Sequence, residues 1–258
     1  MPIVSANGET ISYVREGSGP AVALIHGLGA SVLQWRAQID GLKDRYTVIA
    51  FDCRGHGQSS ANGKVGSEET AQDLKAVLDA AGVTRCHVVA ISTGGQAALS
   101  FNQRFPAMVQ SLVLADTFAK SVEGSAERVA ATKEAIAYIS MQEFGNQYAG
   151  QTLLSTTSLD TQDELAAAVA KVAPKVYTAS MAVAFLGDVT SALGSVAAPT
   201  LVLVGDQDEV APRPAAEQIA GGIPGARLLV VPEAGHLSNL DNPAGFNGAV
   251  TAFLRSVG

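Results

Sequence analysis

The sequence has little of what several classes of protein require. Only 16% of its 258 residues are charged, its net charge is −7, and it contains no block of Lys and Arg of the kind that contacts nucleic-acid phosphates. No apolar run approaches the length of a membrane span. The first residues contain neither a basic segment nor an apolar one, so no secretory leader is expected. We therefore expect neither a nucleic-acid partner nor a membrane partner.

Cysteine is scarce as well. We expect Cys53 and Cys86, each at the edge of a predicted strand, to be small buried thiols in the reducing cytoplasm, with a disulfide between them as the less favoured alternative. A catalytic Cys53–His56 pair is disfavoured, because a short glycine-rich turn rarely orients a thiol towards an imidazole. No cluster of residues has metal-ligand spacing, and no Gly-x-Gly-x-x-Gly opens a helix after the first strands. The sequence therefore predicts neither a metal ion nor a cofactor.

Apolar runs and helical segments alternate along most of the chain. Several runs are apolar throughout, which is typical of parallel strands that are buried on both faces. Helices are predicted at residues 67–81, at residues 96–105 and from the Asn242-Pro243 cap onwards. Strands are predicted near residues 10–15, 21–25, 47–51, 87–91, 111–115, 200–204 and 227–231. This alternation indicates an α/β fold with a wound sheet.

One region breaks the alternation. From about residue 117 to residue 197 only helices are predicted, at 127–139, at 165–172 behind a Thr161-x-x-Glu164 capping box, and at 176–186. Such an insertion is most simply a cap over the carboxyl edge of the sheet, where α/β folds bind ligands. The alternative is an elaboration far from any site. We expect residues 1–116 and 198–258 to form the core and residues 117–197 to form the cap.

The segment Ala90-Ile91-Ser92-Thr93-Gly94-Gly95 predicts a strand, a sharp turn and a helix, with Ser92 at the turn. Such a turn exposes a hydroxyl and points a helix N-terminus at the group that the hydroxyl attacks. Ser92 is therefore the candidate nucleophile, although Ala90 takes the place of the first glycine of Gly-x-Ser-x-Gly. The alternative for Ser-x-Gly-Gly is an ordinary loop.

A serine hydroxyl needs a base, and the base needs an acid that orients it. Of the four histidines, His236 follows the last strand and would lie at the same sheet edge as Ser92, so we expect it to be the base. His26 is expected to shape its loop through backbone hydrogen bonds. His56 lies in a turn, and His87 begins a strand.

Three acidic residues follow strands at this edge. Asp208 reaches towards the His236 loop and is the preferred orienting acid. Asp206 directly follows its strand and is expected to hold the turn through backbone hydrogen bonds, which makes it the second choice, and Asp116 is the third. The order Ser92, Asp208, His236 is the one expected for this type of nucleophile turn.

A developing oxyanion needs hydrogen-bond donors that are already in place. The amide of Thr93, next to Ser92, is the expected first donor. The amide of Leu28, inside the turn His26-Gly27-Leu28-Gly29, is the expected second donor. A plain tight turn is the alternative role of these glycines, and both roles are compatible.

Five motifs occur along the chain: His26-Gly27-Leu28-Gly29, Asp52-x-Arg54-Gly55-His56-Gly57-x-Ser59, Ser92-x-Gly94-Gly95, Gly205-Asp206-x-Asp208 and Gly235-His236. Together these motifs resemble those of the α/β-hydrolase superfamily. The resemblance covers essentially the whole chain outside the cap and implies an eight-stranded, mostly parallel sheet, a Ser92–His236–Asp208 triad and a structural role for the 52–59 loop. The serine argues against the dehalogenases and epoxide hydrolases of the superfamily, which have aspartate at this position. Residues 236–240 and the Asp208 segment are most similar to 3-oxoadipate enol-lactonases and related lactonases and esterases.

The expected function is that of a cytoplasmic serine hydrolase that cleaves a small-molecule ester or lactone through an acyl-enzyme. The alternatives are a cofactor-free perhydrolase or haloperoxidase, a carbon–carbon bond hydrolase, and a small-molecule receptor with a hydrolase pocket. A carboxylate substrate would need a cation, and the cap offers Lys120, Arg128, Lys133, Lys171 and Lys175. The residues predicted to line the pocket are Phe118, Met141, Phe144, Tyr148, Met181 and Phe185.

Overall fold

The computed structural model describes residues 1–258. Its eight strands are β1 (Ile3–Ala6), β2 (Glu9–Glu16), β3 (Ala21–Ile25), β4 (Thr47–Phe51), β5 (Cys86–Ile91), β6 (Val109–Ala115), β7 (Thr200–Gly205) and β8 (Arg227–Val231). Its helices are α1 (Arg36–Leu42), α2 (Ser67–Ala80), α3 (Thr93–Arg104), α4 (Ser125–Tyr138), α5 (Met141–Thr152), α6 (Leu159–Ala170), α7 (Pro174–Leu186), α8 (Arg213–Gly222), α9 (Ser238–Asp241) and α10 (Pro243–Val257).

The strands form one sheet in the order β1-β2-β4-β3-β5-β6-β7-β8. The pairs β1–β2 and β2–β4 are antiparallel, and every other pair is parallel. β3, β4, β5 and β7 are buried along their whole length, as their largely apolar sequences predict. β8 differs, because it is an edge strand in which only Val231 is buried. The predicted α/β class and the mostly parallel, eight-stranded sheet are confirmed.

Apolar side chains cover both faces of the sheet. On one face they pack against α2, α3 and α8 and include Leu74 and Phe101. On the other face they pack against α1 and α10 and include Trp35 and Phe246, whose rings lie 6.2 Å apart. Because both faces are packed, the strand ends, and the loops that begin there, are held in fixed positions.

Four helices, α4 to α7, lie between β6 and β7 in the chain. They contribute to a third apolar cluster of 11 buried residues, which Leu28 and Ala211 join from loops of the sheet. No individual helix of the chain has the length and apolar character to cross a membrane. α6 and α7 meet that criterion only as a pair, and the pair is bent by 101°.

The structure differs from the sequence-based expectations in several details, among them the short helices α1 and α9, which the sequence pattern does not predict. α6 begins at Leu159 rather than at residue 165, because the Ser158 hydroxyl, and not the expected Thr161-x-x-Glu164 box, caps it by accepting from the Thr161 amide at 3.3 Å. The sequence pattern does not predict α5, which is polar and contains two glycines. It does not predict β1 either, which is a short edge strand with no buried residue.

Candidate active site

Ser92 occupies the turn between β5 and α3. Its backbone has φ 53° and ψ −128°, a conformation that is strained for any residue with a side chain. Two hydrogen bonds of 2.9 Å hold the turn: the Ser92 amide donates to the Ala115 carbonyl, and the Gly95 amide donates to the Ser92 carbonyl. The neighbouring strand and the first turn of the helix therefore maintain the strained backbone.

The two glycines after Ser92 allow α3 to begin close to its neighbours. A Cβ atom at position 94 would lie 2.6 Å from the carbonyl oxygen of Ile25, and a Cβ atom at position 95 would lie 2.5 Å from Oγ1 of Thr117. Any larger residue would push the helix away from the ends of β3 and β6. The glycines thus bring the helix N-terminus next to the loop after β3.

Ser92, His236 and Asp208 form a hydrogen-bonded chain. Ser92 Oγ lies 2.8 Å from His236 Nε2, and His236 Nδ1 lies 3.0 Å from Asp208 Oδ2 and 3.1 Å from Asp208 Oδ1. A carboxylate only accepts hydrogen bonds, so Nδ1 carries the proton and Nε2 is left to accept the proton of Ser92. The three side chains are buried and come from three separate loops at one edge of the sheet.

The charges in this chain support one another. Burial alone would lower the pKa of His236, but the Asp208 charge and hydrogen bond outweigh it, with help from Asp116, and raise the pKa above its usual value. Burial would likewise raise the pKa of Asp208, but His236 and the amides of Val210 and Ala211 lower it. Asp208 is therefore ionised behind an imidazole that gains a proton readily.

The other two candidate acids occupy different positions. Asp206 accepts a hydrogen bond of 3.1 Å from the Ala234 amide, which is the turn-holding role expected of it, and it does not contact His236. Asp116 is completely buried and accepts hydrogen bonds from Gly205 and Ser238 rather than from His236. Only Asp208 contacts the imidazole.

The amides of Leu28 and Thr93 have no acceptor within the protein. Thr93 is the first residue of α3, whose N-terminal amides have no partner within the helix. Leu28 lies in the turn after β3, and the approach of that turn depends on Gly27, where a Cβ atom would lie 3.2 Å from Ser92 Cβ. Both amides are thus free donors on residues beside Ser92.

A cavity of about 780 Å³ opens over Ser92 and His236. The inserted helices line it with residues at helical spacing: Arg128, Ala131, Thr132 and Ala135 on α4, Phe144, Gln147, Tyr148 and Gln151 on α5, and Tyr177, Met181 and Phe185 on α7. The lining is mixed, with aromatic and aliphatic groups from α5 and α7 and polar groups mainly from α4 and α5. Its volume is in the range of small-molecule sites.

Of the six residues predicted to line the pocket, Phe144, Tyr148, Met181 and Phe185 do so. Phe118 and Met141 lie outside the lining. Phe118 lies behind the cavity wall, with its ring centre 4.9 Å from that of Phe185. Met141 begins α5 and packs against the apolar cluster of the inserted helices outside the cavity.

Several residues that line the cavity were not predicted from the sequence. Gln147, Gln151 and Tyr177 each lie three or four residues from a predicted lining residue on the same helix. Helical spacing would therefore have indicated them. Among the five candidate cations of the inserted region, Arg128 alone lines the cavity. It takes part in no ion pair, although Glu127 and Glu209 also line the wall.

The remaining histidines have structural positions. His26 Nδ1 donates to the Gly27 carbonyl at 2.7 Å and its Nε2 accepts from the Cys53 amide at 2.9 Å, which is the loop-shaping role expected of it. His56 bonds the Arg54 carbonyl and makes no hydrogen bond to the Cys53 thiol. Burial lowers the pKa of His26 to about 4 and that of His56 to about 3, so both are neutral.

His87 lies on β5 and bonds the Ser111 hydroxyl at 2.8 Å, as a packing residue would. Both cysteines are free and buried. Burial raises the pKa of the Cys86 thiol to about 12 and also raises that of Cys53, so neither is a reactive thiolate. No group of three or more His, Cys, Asp or Glu side chains is arranged to hold a metal ion.

The chain belongs to the alpha/beta hydrolase family, which matches residues 22–249. It is 27% identical to 3-oxoadipate enol-lactonase 1 of Acinetobacter baylyi over 99% of this chain and 97% of that protein. A thermophilic esterase from Thermogutta terrifontis superposes with a TM-score of 0.90 at 25% identity, over 100% of this chain and 99% of that chain.

An enol-lactonase from Burkholderia xenovorans has the same fold, with a TM-score of 0.89 at 21% identity over 98% of this chain and 100% of that chain. These findings confirm the resemblance expected from the motifs. The family and the names of the relatives support a hydrolase.

Proposed function

We propose that this protein is a serine hydrolase that cleaves a carboxylic ester or lactone of a small molecule through an acyl-enzyme. The observation that carries the proposal is the hydrogen-bonded chain Ser92–His236–Asp208 at the floor of a cavity, beside two amides that have no partner. The relatives named as enol-lactonase and esterase guide the choice of bond.

In the first half of the reaction, Ser92 Oγ attacks the carbonyl carbon while His236 Nε2 takes the hydroxyl proton. Asp208 keeps Nδ1 protonated and stabilises the imidazolium. The oxyanion accepts hydrogen bonds from the amides of Leu28 and Thr93, each contributing roughly 3–4 kcal/mol to the barrier reduction. His236 then gives its proton to the leaving alkoxide, which leaves the acyl group on Ser92.

In the second half, His236 takes a proton from a water molecule, and the hydroxide attacks the acyl carbon. The same two amides stabilise the second oxyanion. His236 returns the proton to Ser92 Oγ as the acid is released. In a lactone the alkoxide and the acid belong to one molecule, so the product is a single hydroxy acid, or its keto form where the lactone is an enol lactone.

We further propose that residues 117–197 act as the cap of this site and select its substrate. Three of its helices provide most of the cavity wall, and their side chains face the floor that contains Ser92. A cytoplasmic location stays a prediction, to which the two free thiols conform.

The test compares hydrolysis of p-nitrophenyl esters of increasing acyl length, and of a set of lactones, by the wild type and by Ser92→Ala. We expect Ser92→Ala to reduce kcat by roughly 10⁵-fold or more, as the loss of a serine nucleophile does elsewhere. Ser100→Ala is the matched control, because Ser100 is a buried serine on α3, the helix that follows Ser92, and its side chain makes no hydrogen bond.

A fluorophosphonate probe provides an independent measurement, since it should add its mass to the peptide that contains Ser92 and to no other. Equal rates for the wild type and Ser92→Ala, or labelling elsewhere, would refute the assignment. The protein can also be assayed for bromination with peroxide and halide and for cleavage of a vinylogous diketone. If either reaction were faster than the hydrolysis of every ester and lactone, the proposed reaction class would be wrong.

A further inference from the structure

The segment that ends β6, Ala115 to Thr117, contacts the nucleophile turn from two sides. The Ala115 carbonyl accepts from the Ser92 amide at 2.9 Å. Thr117 Oγ1 donates to the Ser92 carbonyl at 2.6 Å. The strained turn therefore has fixed contacts with the end of this one strand.

Asp116, between these two residues, connects the other two loops of the hydrogen-bonded chain. Its Oδ1 accepts from the Gly205 amide at 2.9 Å, three residues before Asp208. Its Oδ2 accepts from the Ser238 amide at 3.0 Å and from the Ser238 hydroxyl at 2.6 Å, two residues after His236. Asp116 is fully buried, and its φ of 47° is uncommon for a residue other than glycine. Such a conformation persists only where the surroundings enforce it.

We propose that Asp116 is a positioning residue of the reaction: its carboxylate fixes the His236 loop relative to β7, and its negative charge helps to stabilise the imidazolium that forms on His236. This inference rests on the proposed function. It assigns Asp116 a role through His236 and not a contact with substrate, because Asp116 does not line the cavity and does not bond the imidazole.

The electrostatic part of this role follows from the groups that face Asp116. Burial and then the Asp208 charge raise the pKa of Asp116 to about 7, while Ser238 and His236 oppose that rise. Asp116 in turn contributes to the raised pKa of His236. A proton on His236 therefore favours the ionised form of Asp116, and ionised Asp116 favours a proton on His236.

Asp116→Asn tests the proposal, because the amide keeps the shape of the carboxylate but carries no charge. Its oxygen can accept from only one of the two loops, so the NH₂ group must face an amide donor of the other loop. We expect kcat to fall about tenfold with KM unchanged, the loss expected for one charge-assisted hydrogen bond. The acid limb of the kcat/KM profile should move to lower pH by about half a unit or more.

Asp206→Asn is the matched control. Asp206 lies at the end of the neighbouring strand and holds the same loop through the Ala234 amide, but its side chain is exposed and touches neither Ser238 nor His236. We expect its acid limb to coincide with that of the wild type. A lower kcat for Asp116→Asn with an unmoved acid limb would leave only a structural role and would overturn the proposal.

Ser238→Ala keeps the proposal testable if Asp116→Asn does not fold. It removes one donor to Asp116 and retains the Ser238 amide, so kcat should fall less and the acid limb should shift less, in the same direction. An unchanged profile in Ser238→Ala would then overturn the proposal. The two hypotheses fail separately, since full activity in Ser92→Ala refutes the proposed function, whereas dependence on Ser92 with no effect at Asp116 refutes this inference alone.

Discussion

Asp208→Asn should inactivate the site through the tautomer of His236. Asp208 Oδ1 accepts hydrogen bonds of 2.8 Å from the amides of both Val210 and Ala211. In the Asp208→Asn variant these two donors would keep the side-chain oxygen in the Oδ1 position, so the NH₂ group would take the position of Oδ2. That position lies 3.0 Å from His236 Nδ1. An NH₂ group there only donates, and the retained oxygen, 3.1 Å from Nδ1, already accepts from two amides. The variant therefore favours an accepting Nδ1, with the imidazole proton on Nε2.

A proton on Nε2 leaves no atom to accept the proton of Ser92. The reaction would then depend on the minor tautomer, and we expect kcat to fall by roughly 10³–10⁴, equivalent to about 4–5.5 kcal/mol of barrier. The same loss of the Asp208 charge would lower the pKa of His236, so the small remaining activity should persist to lower pH than in the wild type.

The assay is the hydrolysis of a p-nitrophenyl ester over a range of pH, with folding checked by circular dichroism. Asp208→Ala separates the effect of the wrong His236 tautomer from the loss of the group that orients His236. Alanine makes no hydrogen bond to Nδ1, so it favours neither tautomer and holds neither orientation. We expect Asp208→Ala to be less impaired than Asp208→Asn. Equal rates for these two variants would refute the tautomer argument, and an Asp208→Asn enzyme within tenfold of the wild type would refute the role of Asp208 altogether.

Three further predictions concern the base, the cation and the wall of the site. His236 must be neutral to act as the base, and its pKa is raised, so kcat/KM should fall as the pH decreases and should reach half of its maximum at a pH above 6.5, the ordinary pKa of histidine. A pH profile that is flat between 5 and 8 would contradict this. Arg128→Ala should raise KM roughly tenfold for a p-nitrophenyl ester with a terminal carboxylate and leave KM for its neutral analogue unchanged, whereas Lys133→Ala, on the same helix but outside the cavity, should affect neither. Phe144→Ala should widen the cavity and so lower KM for esters with longer acyl chains. Phe118→Ala should leave the chain-length preference unchanged, but it should lower the free energy of unfolding by about 3–5 kcal/mol in a denaturant titration.

Much of the fold is predictable because it depends on local patterns. The limits of β3, β4 and β8 match the sequence prediction, since each is a compact apolar run next to turn residues. The start of α10 also matches, because the Asn242 side chain caps it and Pro243 opens it. The failures occur where local signals are weak or duplicated, as in the polar helix α5 and at the capped start of α6.

The candidate site divides in a similar way. Ser92, Asp208 and His236 could be chosen from the sequence because each closely follows a strand, and parallel strands end at one edge. The cavity wall could not be chosen in the same way. Phe118 and Phe144 are both aromatic residues of the inserted region, but only Phe144 faces the cavity, and that depends on how the helices pack.

The sequence by itself determined most of the strands and helices and the residues that stand at the strand ends, because these follow from hydrophobic periodicity and from turn chemistry. Only the tertiary structure decided that Arg128 faces the cavity among five candidate cations, and that Asp116 joins the β7 and His236 loops instead of contacting the imidazole. The physical reason is that a side chain's partner depends on which distant elements the fold brings together, as with Asp116 and Ser238, which are 122 residues apart. A local sequence pattern contains no information about contacts between residues so far apart in the chain.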